Sequence, residues 1–488
     1  MGEEEPGREV TSETEACPKS PKSRKEKPTR PLLSYFPKWN RTQILAITLT
    51  TLTLTSIFSL GRFYLLLVPI QSDTVIWSHT YGGSGDDTAT SLLQLADGGF
   101  AFCGSTTSWG LGGHWNGTGG GNDMWLVRLD ENANLIWNRT YGTTQEDGAS
   151  LLIECMDDGF ALLGYTYVNR SGDYERVGLL VRTDANGNQL WNTTFDVSMF
   201  SPSDTMMQCN DGGFAIAGFA GDVWGGSGDF WLVRTDIDGN QIWNHTYSGY
   251  NGYQLALIEE TGSGFLIFSR ANRGSSSIYV ENHDVFLLCT DATGNLLWSR
   301  TYDSGHHDYG VRIFPDNTGG YLLVCLAGYT PSRTNLWQIR ISSTGDILWE
   351  HVTEPIVGSP FDILKCYDDG FIILGHYSPT QWWHHINLLL IRTDTLGNIL
   401  WQREYGFDGV GDFGSSILQL GDGSFLIAAV TPLTPDVETS EAWLLRVTDT
   451  PISYYQMTQF MFYGAIITII TFIVMGAFII AQRRWLRA

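Results

Sequence analysis

What this chain is short of excludes several classes of protein. Positive charge is scarce along most of its length: the segment 72–449 keeps 16 of the 29 Lys and Arg and carries a net charge of about −30. Such a surface repels a phosphate backbone, which argues against a nucleic-acid partner. Cysteine is sparse, seven in 488 residues, and never in metal-ligand spacing. Cys155, Cys209 and Cys366 share one position in a recurring pattern, among aliphatics, and read as small buried hydrophobes; equivalent positions in successive repeats need not come within disulfide reach. Helical apolar periodicity long enough for crossover helices is missing, which removes folds built on parallel sheets. Neither a nucleophile–base pairing nor a metal motif is present.

Aromatics and glycine are abundant instead: 18 Trp, 21 Tyr, 24 Phe and 55 Gly. Two aromatic series recur with a step of 50 to 60 residues. One is Trp77, Trp137, Trp191, Trp243, Trp298, Trp349 and Trp401; the other is Phe100, Phe160, Phe214, Phe265, Tyr321, Phe371 and Phe425. A fixed period of this size marks a repeat architecture. Within one period the alternation and turn signals predict four short strands, in the first copy Thr88 to Gln94 (a), Phe100 to Gly104 (b), Met124 to Leu129 (c) and Asn134 to Tyr141 (d). Four antiparallel strands in fifty-odd residues are a β-propeller blade, so the fold expected is all-β with seven blades.

The ends of the repeat array are out of phase. Blade 7 supplies a, b and c, ending in "EAWLLRVT", and lacks d; a d strand without a blade, "TVIWSHTY" at 74–81, stands before blade 1. Joining the two closes the ring and removes the open edges.

The units "WLVRTDIDGNQIWNHTYSG" and "DGGFAIAGFAG" resemble the β-propeller repeats of archaeal and bacterial cell-surface proteins and, more distantly, the blades of quinoprotein (PQQ-type) propellers. The resemblance covers about 72–449. Its residues specify a blade and carry no chemistry, so it implies the fold and says little of activity.

A residue present in every blade serves the blade, because few ligands have seven-fold symmetry. By that test Asp97, Asp157, Asp211, Asp368 and Asp422, three residues before the aromatic anchor, belong to the a–b turn. Arg128, Arg182, Arg234, Arg340, Arg392 and Arg446 are expected to pair with carboxylates of the same or a neighbouring blade, and the seven Trp to pack between blades. "DIDGN" at 236–240 reads as a hairpin turn; its glycine comes too early for a calcium loop. Asp87, Asp147, Asp308 and Asp412, thirteen before the anchor, are turn caps or weak candidates for a cation at the channel mouth, where Ca²⁺ is the one cofactor to consider.

Strand order puts the short a–b and c–d turns on one face and the variable d–a and b–c connections on the other. The variable loops hold the non-repeated Trp109, His114, Trp115, Trp224, His306, His307, Trp382, Trp383, His384 and His385, the candidate ligand-binding residues. The histidine pairs are poor joint metal ligands within an extended strand, where successive side chains diverge.

Outside the repeats, 1–42 reads as a disordered tail. A first membrane span is expected in 43–70, with no charge from Ile44 to Gly61, and a second in 460–481, separated from the propeller by a 450–459 linker and followed by a basic end, 482–488. A cleavable signal peptide is the rival reading of the first span. Lys and Arg flank the outer ends of both spans, so both termini are expected in the cytoplasm and the propeller outside the cell membrane. Five sequons, Asn116, Asn138, Asn169, Asn192 and Asn244, lie in the part expected outside, three of them directly after the repeat Trp. The function expected is non-enzymatic recognition or adhesion, of a glycan or surface protein, by the membrane-distal loops. A quinoprotein-like or carbohydrate-active propeller enzyme and a structural cell-surface scaffold are the alternatives.

Overall fold

The computed structural model describes residues 74–449 except 110–120, 196–204, 221–227, 262–263, 273–282, 317, 331–332, 354, 357–358, 378–385, 408–410 and 435–436. The chain divides into two compact units, Met1–Pro69 and Ile70–Ala488, and the described residues belong to the second. Both expected membrane spans lie outside them, and among the described residues no helix is long and apolar enough to cross a membrane.

The described residues form 27 strands and no helix beyond a single 3-10 position at Thr74. Blade 1 is Ser91–Gln94, Phe100–Thr106, Asp123–Leu129 and Leu135–Tyr141, a four-stranded antiparallel sheet in sequence order a-b-c-d. Blades 2, 5 and 6 repeat it. Seven blades of four require 28 strands; the missing one is explained by Gln241–Thr261, a continuous strand that serves as d of blade 3 and a of blade 4 and fuses both into one seven-stranded sheet. Blade 7 takes a, b and c from Phe413–Gln419, Phe425–Thr434 and Val437–Val447, and d from Val75–Tyr81, paired antiparallel from Val75↔Val447 to Tyr81↔Ala442. Thr448 N–H also donates to the Thr74 carbonyl at 2.9 Å, so the chain enters and leaves the ring side by side. Each a strand touches the a strands of both flanking blades, around the full circle. The structure is thus an all-β, seven-bladed propeller closed by its N-terminal strand.

A blade is apolar on both faces, so the core lies between blades. Seven clusters of buried side chains occupy the seven interfaces; the one closing the ring joins Leu426, Ala428 and Leu444 of blade 7 to Phe100, Phe102 and Trp125 of blade 1. The two aromatic series meet there. The Trp of one outer strand packs on the anchor Phe of the next blade, with ring centroids 5.9 to 6.4 Å apart for Trp77–Phe100, Trp137–Phe160, Trp191–Phe214, Trp243–Phe265 and Trp401–Phe425. The same ring covers the next blade's c–d turn. Gly187 has φ +75°, and a Cβ there would stand 2.8 Å from the Trp137 ring, so glycine is required both by the backbone and by the close approach. At the far end of four outer strands a tyrosine latches the same turn: Tyr81, Tyr141, Tyr247 and Tyr302 donate to the carbonyls of Ala133, Gly187, Gly294 and Gly345 at 2.6 to 2.8 Å. Trp349 departs from the expected inter-blade role: it is 41% exposed, and Phe314 packs on Phe371 in its place.

One face is uniform. Its c–d turns within blades 1 to 6 all have five residues between strands, and so do the a–b turns except in blade 4. In the c–d turn Asp130 Oδ1 accepts the N–H groups of Asn132 and Asn134 at 2.9 and 2.7 Å while Asn134 Nδ2 donates to Oδ2; Asp184, Asp236, Asp291 and Asp394 repeat this with Asn188, Asn240, Asn295 and Asn398. The five recurring Arg–Asp pairs are intra-blade: Arg392 to Asp368 at 2.6 Å, Arg446 to Asp422 at 2.8 Å, and likewise Arg128–Asp97, Arg182–Asp157 and Arg234–Asp211; Arg340 pairs with Asp316 at 2.9 Å. Around the rim of this face every outer strand exposes an aliphatic just before its Trp: Ile76, Ile136, Leu190, Ile242, Leu297, Leu348 and Leu400, each 45–57% exposed. The opposite face is irregular. Its b–c connections run from the two residues Ser171 and Gly172, which cap an 11-residue hairpin, to the sixteen of 107–122.

Candidate functional site

The irregular face is built on buried aspartates. Asp87, Asp147, Asp308 and Asp412 have no exposed surface, and each caps its own d–a connection by accepting a backbone N–H four or five residues earlier: Gly83, Thr143 and Ser304 at 2.7 to 2.8 Å and Phe407 at 2.9 Å. Three of them also tie that connection to the preceding blade, since the N–H groups of Asp87, Asp147 and Asp412 donate to the carbonyls of Ser440, Asn122 and Ile386. Turn capping is thus common to all four, and Asp87 accepts the Thr106 and Ser108 hydroxyls besides. Beside them stands a tightly packed glycine: a Cβ on Gly82 would lie 2.7 Å from Asp87 Oδ2, and Gly142 and Gly406 meet Asp147 and Asp412 in the same way.

Blade 5 breaks this pattern. At the position of Gly82, Gly142 and Gly406, immediately after the latch tyrosine, it has Asp303. Asp303 accepts the Gly305 N–H at 2.7 Å and joins buried Asp308 and buried Asp284, from the start of the blade 4 c strand. One carboxylate oxygen from each lies within 4.8 Å of the others. His283 and His307 adjoin, their rings 6.0 Å apart, with Tyr309 6.2 Å from His283. Three carboxylates with imidazoles at the edge are the described group whose chemistry best fits a cation, and oxygen donors suit a hard one such as Ca²⁺. The structure therefore brings the predicted His307 and Asp308 into one cluster, with exposed His306 beside Asp308 in the same connection, and adds His283, Asp284 and Asp303. Only Asp303 had a readable signal, an acid where three sister copies have glycine, and a weak one, since Asp196 stands at the same sequence position; Asp284 shares its register with Asp123 and Asp229 and reads as scaffold.

Blades 1 and 2 carry the two-carboxylate version. Burial pushes the Asp147 carboxyl up to about 6, with Asp123 adding repulsion against the hydrogen bonds of Thr166 and Thr143. Burial raises Asp308 and Asp412 as well. The folded state then holds a proton on Asp147 that the unfolded state has lost. The stability tied to this group is full below the ordinary aspartate pKa and falls as pH rises through about 6. Asp147→Asn keeps an acceptor for Thr143. It is expected to stabilise the propeller by roughly 2 kcal/mol at pH 7 and to have no effect near pH 4, a difference that thermal melts of the two proteins across pH 4–8 measure directly. Half-buried His376, held below its ordinary range by desolvation, acts oppositely in this window but equally in both proteins. The turn aspartates, such as Asp291 held at about 2 by Asn295, lose their contribution only at lower pH.

Of the other predicted binding residues, Trp109 is described: it is exposed on the blade 1 b–c connection, its ring 5.3 Å from that of buried Trp125. His114, Trp115, Trp224, Trp382, Trp383, His384 and His385 lie outside the described residues, as does Asn116. Asn138, Asn192 and Asn244 sit on outer strands, half-buried in the first case and exposed in the others, and exposed Asn169 ends the b strand of the blade 2 hairpin.

No protein-family model and no curated protein matches the chain. Among solved structures it is similar to Drosophila Plexin A in complex with Semaphorin 1b, at 8% identity over 78% of this chain and 88% of that one, with a TM-score of 0.42. It is similar also to Sqt1 from Chaetomium thermophilum, at 9% identity over 76% and 100% with a TM-score of 0.40, and to an endo-arabinase from Bacteroides thetaiotaomicron, at 13% over 52% and 94% with a TM-score of 0.32. At these values the similarities carry no functional argument.

Proposed function

We propose that the protein is a membrane-anchored cell-surface propeller with cytoplasmic termini, whose irregular face recognises a glycan or a surface protein without catalysis. The observation that carries this reading is the pairing of the two chain ends, Thr448 to Thr74, on the face of five-residue turns. Chain ends that leave together from that face are what anchoring by two spans, expected in 43–70 and 460–481, requires, and the loops of Trp109, His306 and His307 belong to the opposite face. Exposed Trp109, packed at a tilt against buried Trp125, offers an aromatic surface of the kind that anchors binding partners. Asp123 and Asp147, 3% and 0% exposed, do not reach a substrate, which removes that pair from the enzymatic alternative.

Residues 72–449, which contain all seven interfaces, are expected to retain a cell-surface glycan or protein on an array or in a surface pull-down. Replacing Trp109, Trp115, Trp382 and Trp383 by Ala is expected to weaken retention at least tenfold with an unchanged melting temperature. Undiminished binding by that variant removes the proposed surface, and a single stoichiometric crosslinked partner in cells favours the scaffold alternative. The topology is checked on the same cell-derived protein by glycopeptide mass spectrometry, which is expected to find sugar at Asn138, Asn169, Asn192 or Asn244; bare asparagines at all four count against it.

A further inference from the structure

We infer that the rim of the five-residue-turn face is a lipid-contacting belt, seated in the interface of a bilayer with no net headgroup charge. The inference rests on the membrane-anchored reading above and deepens it, from two tethers to a surface.

The seven aliphatics, one before each repeat Trp, each leave about half of their surface open, and packing within the ring does not account for that open part. In blades 1, 4, 5 and 6 the preceding residue is a second exposed aliphatic, Leu135, Leu296, Ile347 or Ile399, where a solvated edge strand would alternate with polar groups. Ile237 and Leu396 extend the belt onto the c–d turns. An exposed apolar edge invites pairing with other chains unless it is covered. A protein partner would cover a few blades. A planar bilayer is isotropic about the propeller axis and touches all seven at once, so it is the partner that a seven-fold pattern fits. The depth also agrees: the belt residues are the first two of their strands, within about 7 Å of the turn face at ~3.3 Å per residue, and interfacial segments bury their apolar side about 5–10 Å deep.

Tether position makes the belt consequential. The first and last described residues lie together at blade 7, so attachment through the chain ends alone would restrain the disc at one place. Blades 3 and 4 lie across the ring from blade 7, and their Ile242 and Leu297, with Leu190 of the adjoining blade 2, are the residues that would hold the disc flat. The charge on this face narrows the occupant. Asp130, Asp184, Asp236, Asp291 and Asp394 line it as carboxylates held below their ordinary pKa range by turn hydrogen bonds. They repel anionic lipid, and equally a second copy of the same face.

The full chain tests this, with Cys17→Ser and the six described cysteines all buried. A polarity-sensitive thiol label is placed at Leu297→Cys, or at Tyr174→Cys on the opposite face, and the protein is reconstituted into phosphatidylcholine nanodiscs containing doxyl-labelled lipid. Quenching at Leu297→Cys several-fold above that at Tyr174→Cys is expected, falling in phosphatidylglycerol discs at low salt and recovering with salt. Leu190→Ser with Ile242→Ser, both at exposed positions, is expected to reduce quenching at Leu297→Cys. Protein that resides in the disc while Leu297→Cys is no more quenched than Tyr174→Cys overturns the belt and leaves the anchoring intact. A label shielded from water yet unquenched by lipid also overturns it, in favour of a second copy. Protein that does not enter the disc overturns both readings.

Discussion

A propeller that begins at residue 82, without Val75–Tyr81, is expected to lose its cooperative unfolding transition and to aggregate, whereas a chain with that segment moved to the other end is expected to melt within a few degrees of 72–449. In the permuted chain Val447 is followed by the turn sequence of Asp236–Asn240 and then by Val75–Tyr81, which restores the nine-residue step from Arg to the facing Trp seen at Arg234 and Trp243. The large effect of deletion has three sources. The c strand Val437–Val447 loses its ladder partner and becomes an open edge. Trp77 leaves the interface cluster between blades 7 and 1, where it packs on Phe100. Two side-chain bonds also go: Tyr81 to the Ala133 carbonyl at 2.7 Å and Trp443 Nε1 to Ser78 at 2.7 Å. Differential scanning calorimetry and size-exclusion chromatography on the two chains decide the matter. A deletion chain that melts like the parent would mean that blade 7 does not need the strand, and the argument for face orientation would fail with it.

The second large effect concerns the buried arginines. Arg182 is 4% exposed and donates to the carbonyls of Phe160, at 3.2 Å, and Thr183 as well as to Asp157. Asp157→Gly leaves that guanidinium with carbonyls alone. Breaking a buried pair costs about 3–5 kcal/mol, and the exposure of the Asp157 side chain brings the expectation to roughly 2–3. The molecule already contains the compensated alternative. Blade 4 has Cys289 facing Trp298 where the other six blades have a paired Arg, and Gly262 where five of them have the turn Asp; both partners are absent together. The double variant Asp157→Gly, Arg182→Cys is therefore expected to be more stable than Asp157→Gly by at least about 1 kcal/mol. Denaturant unfolding of the two single variants and the double variant measures the coupling. Strict additivity would mean that the pair is two independent turn contacts.

Several elements were legible because their cause is local. Turn residues are chosen by backbone geometry and by hydrogen bonds two to four residues away, so Asp236 with Asn240, or Asp97 three residues before Phe100, announce their turns in the sequence. Strand bounds followed from the turns: the observed Phe100–Thr106, Asp123–Leu129 and Leu135–Tyr141 begin and end within two residues of those expected. Closure was legible for a different reason, since a leading d strand and a missing last d strand are matters of counting. The carboxylate cluster was not legible. Asp284 belongs to blade 4, Asp303 and Asp308 to the connection into blade 5, and what makes three aspartates a site is a separation of 4.8 Å across an interface, which spacing along the chain does not encode. The merging of two blades through Gln241–Thr261 was hidden too, because its residues satisfy a strand on either side of the junction and only the absence of a loop reveals it.

The sequence alone determined the number of blades, their strand order, the turn chemistry and which end closes the ring, because each depends on a period or on contacts within a few residues. Tertiary structure decided what faces water. The aliphatic before each Trp looks in sequence like a core residue and lies exposed at the rim; Trp349 looks like its six sister tryptophans and is left open, with Phe314 on Phe371 in its stead. Burial is set by the neighbouring blade, about fifty residues away in the chain, and a repeat that is the same in every copy does not say which of its two apolar sides that neighbour will cover.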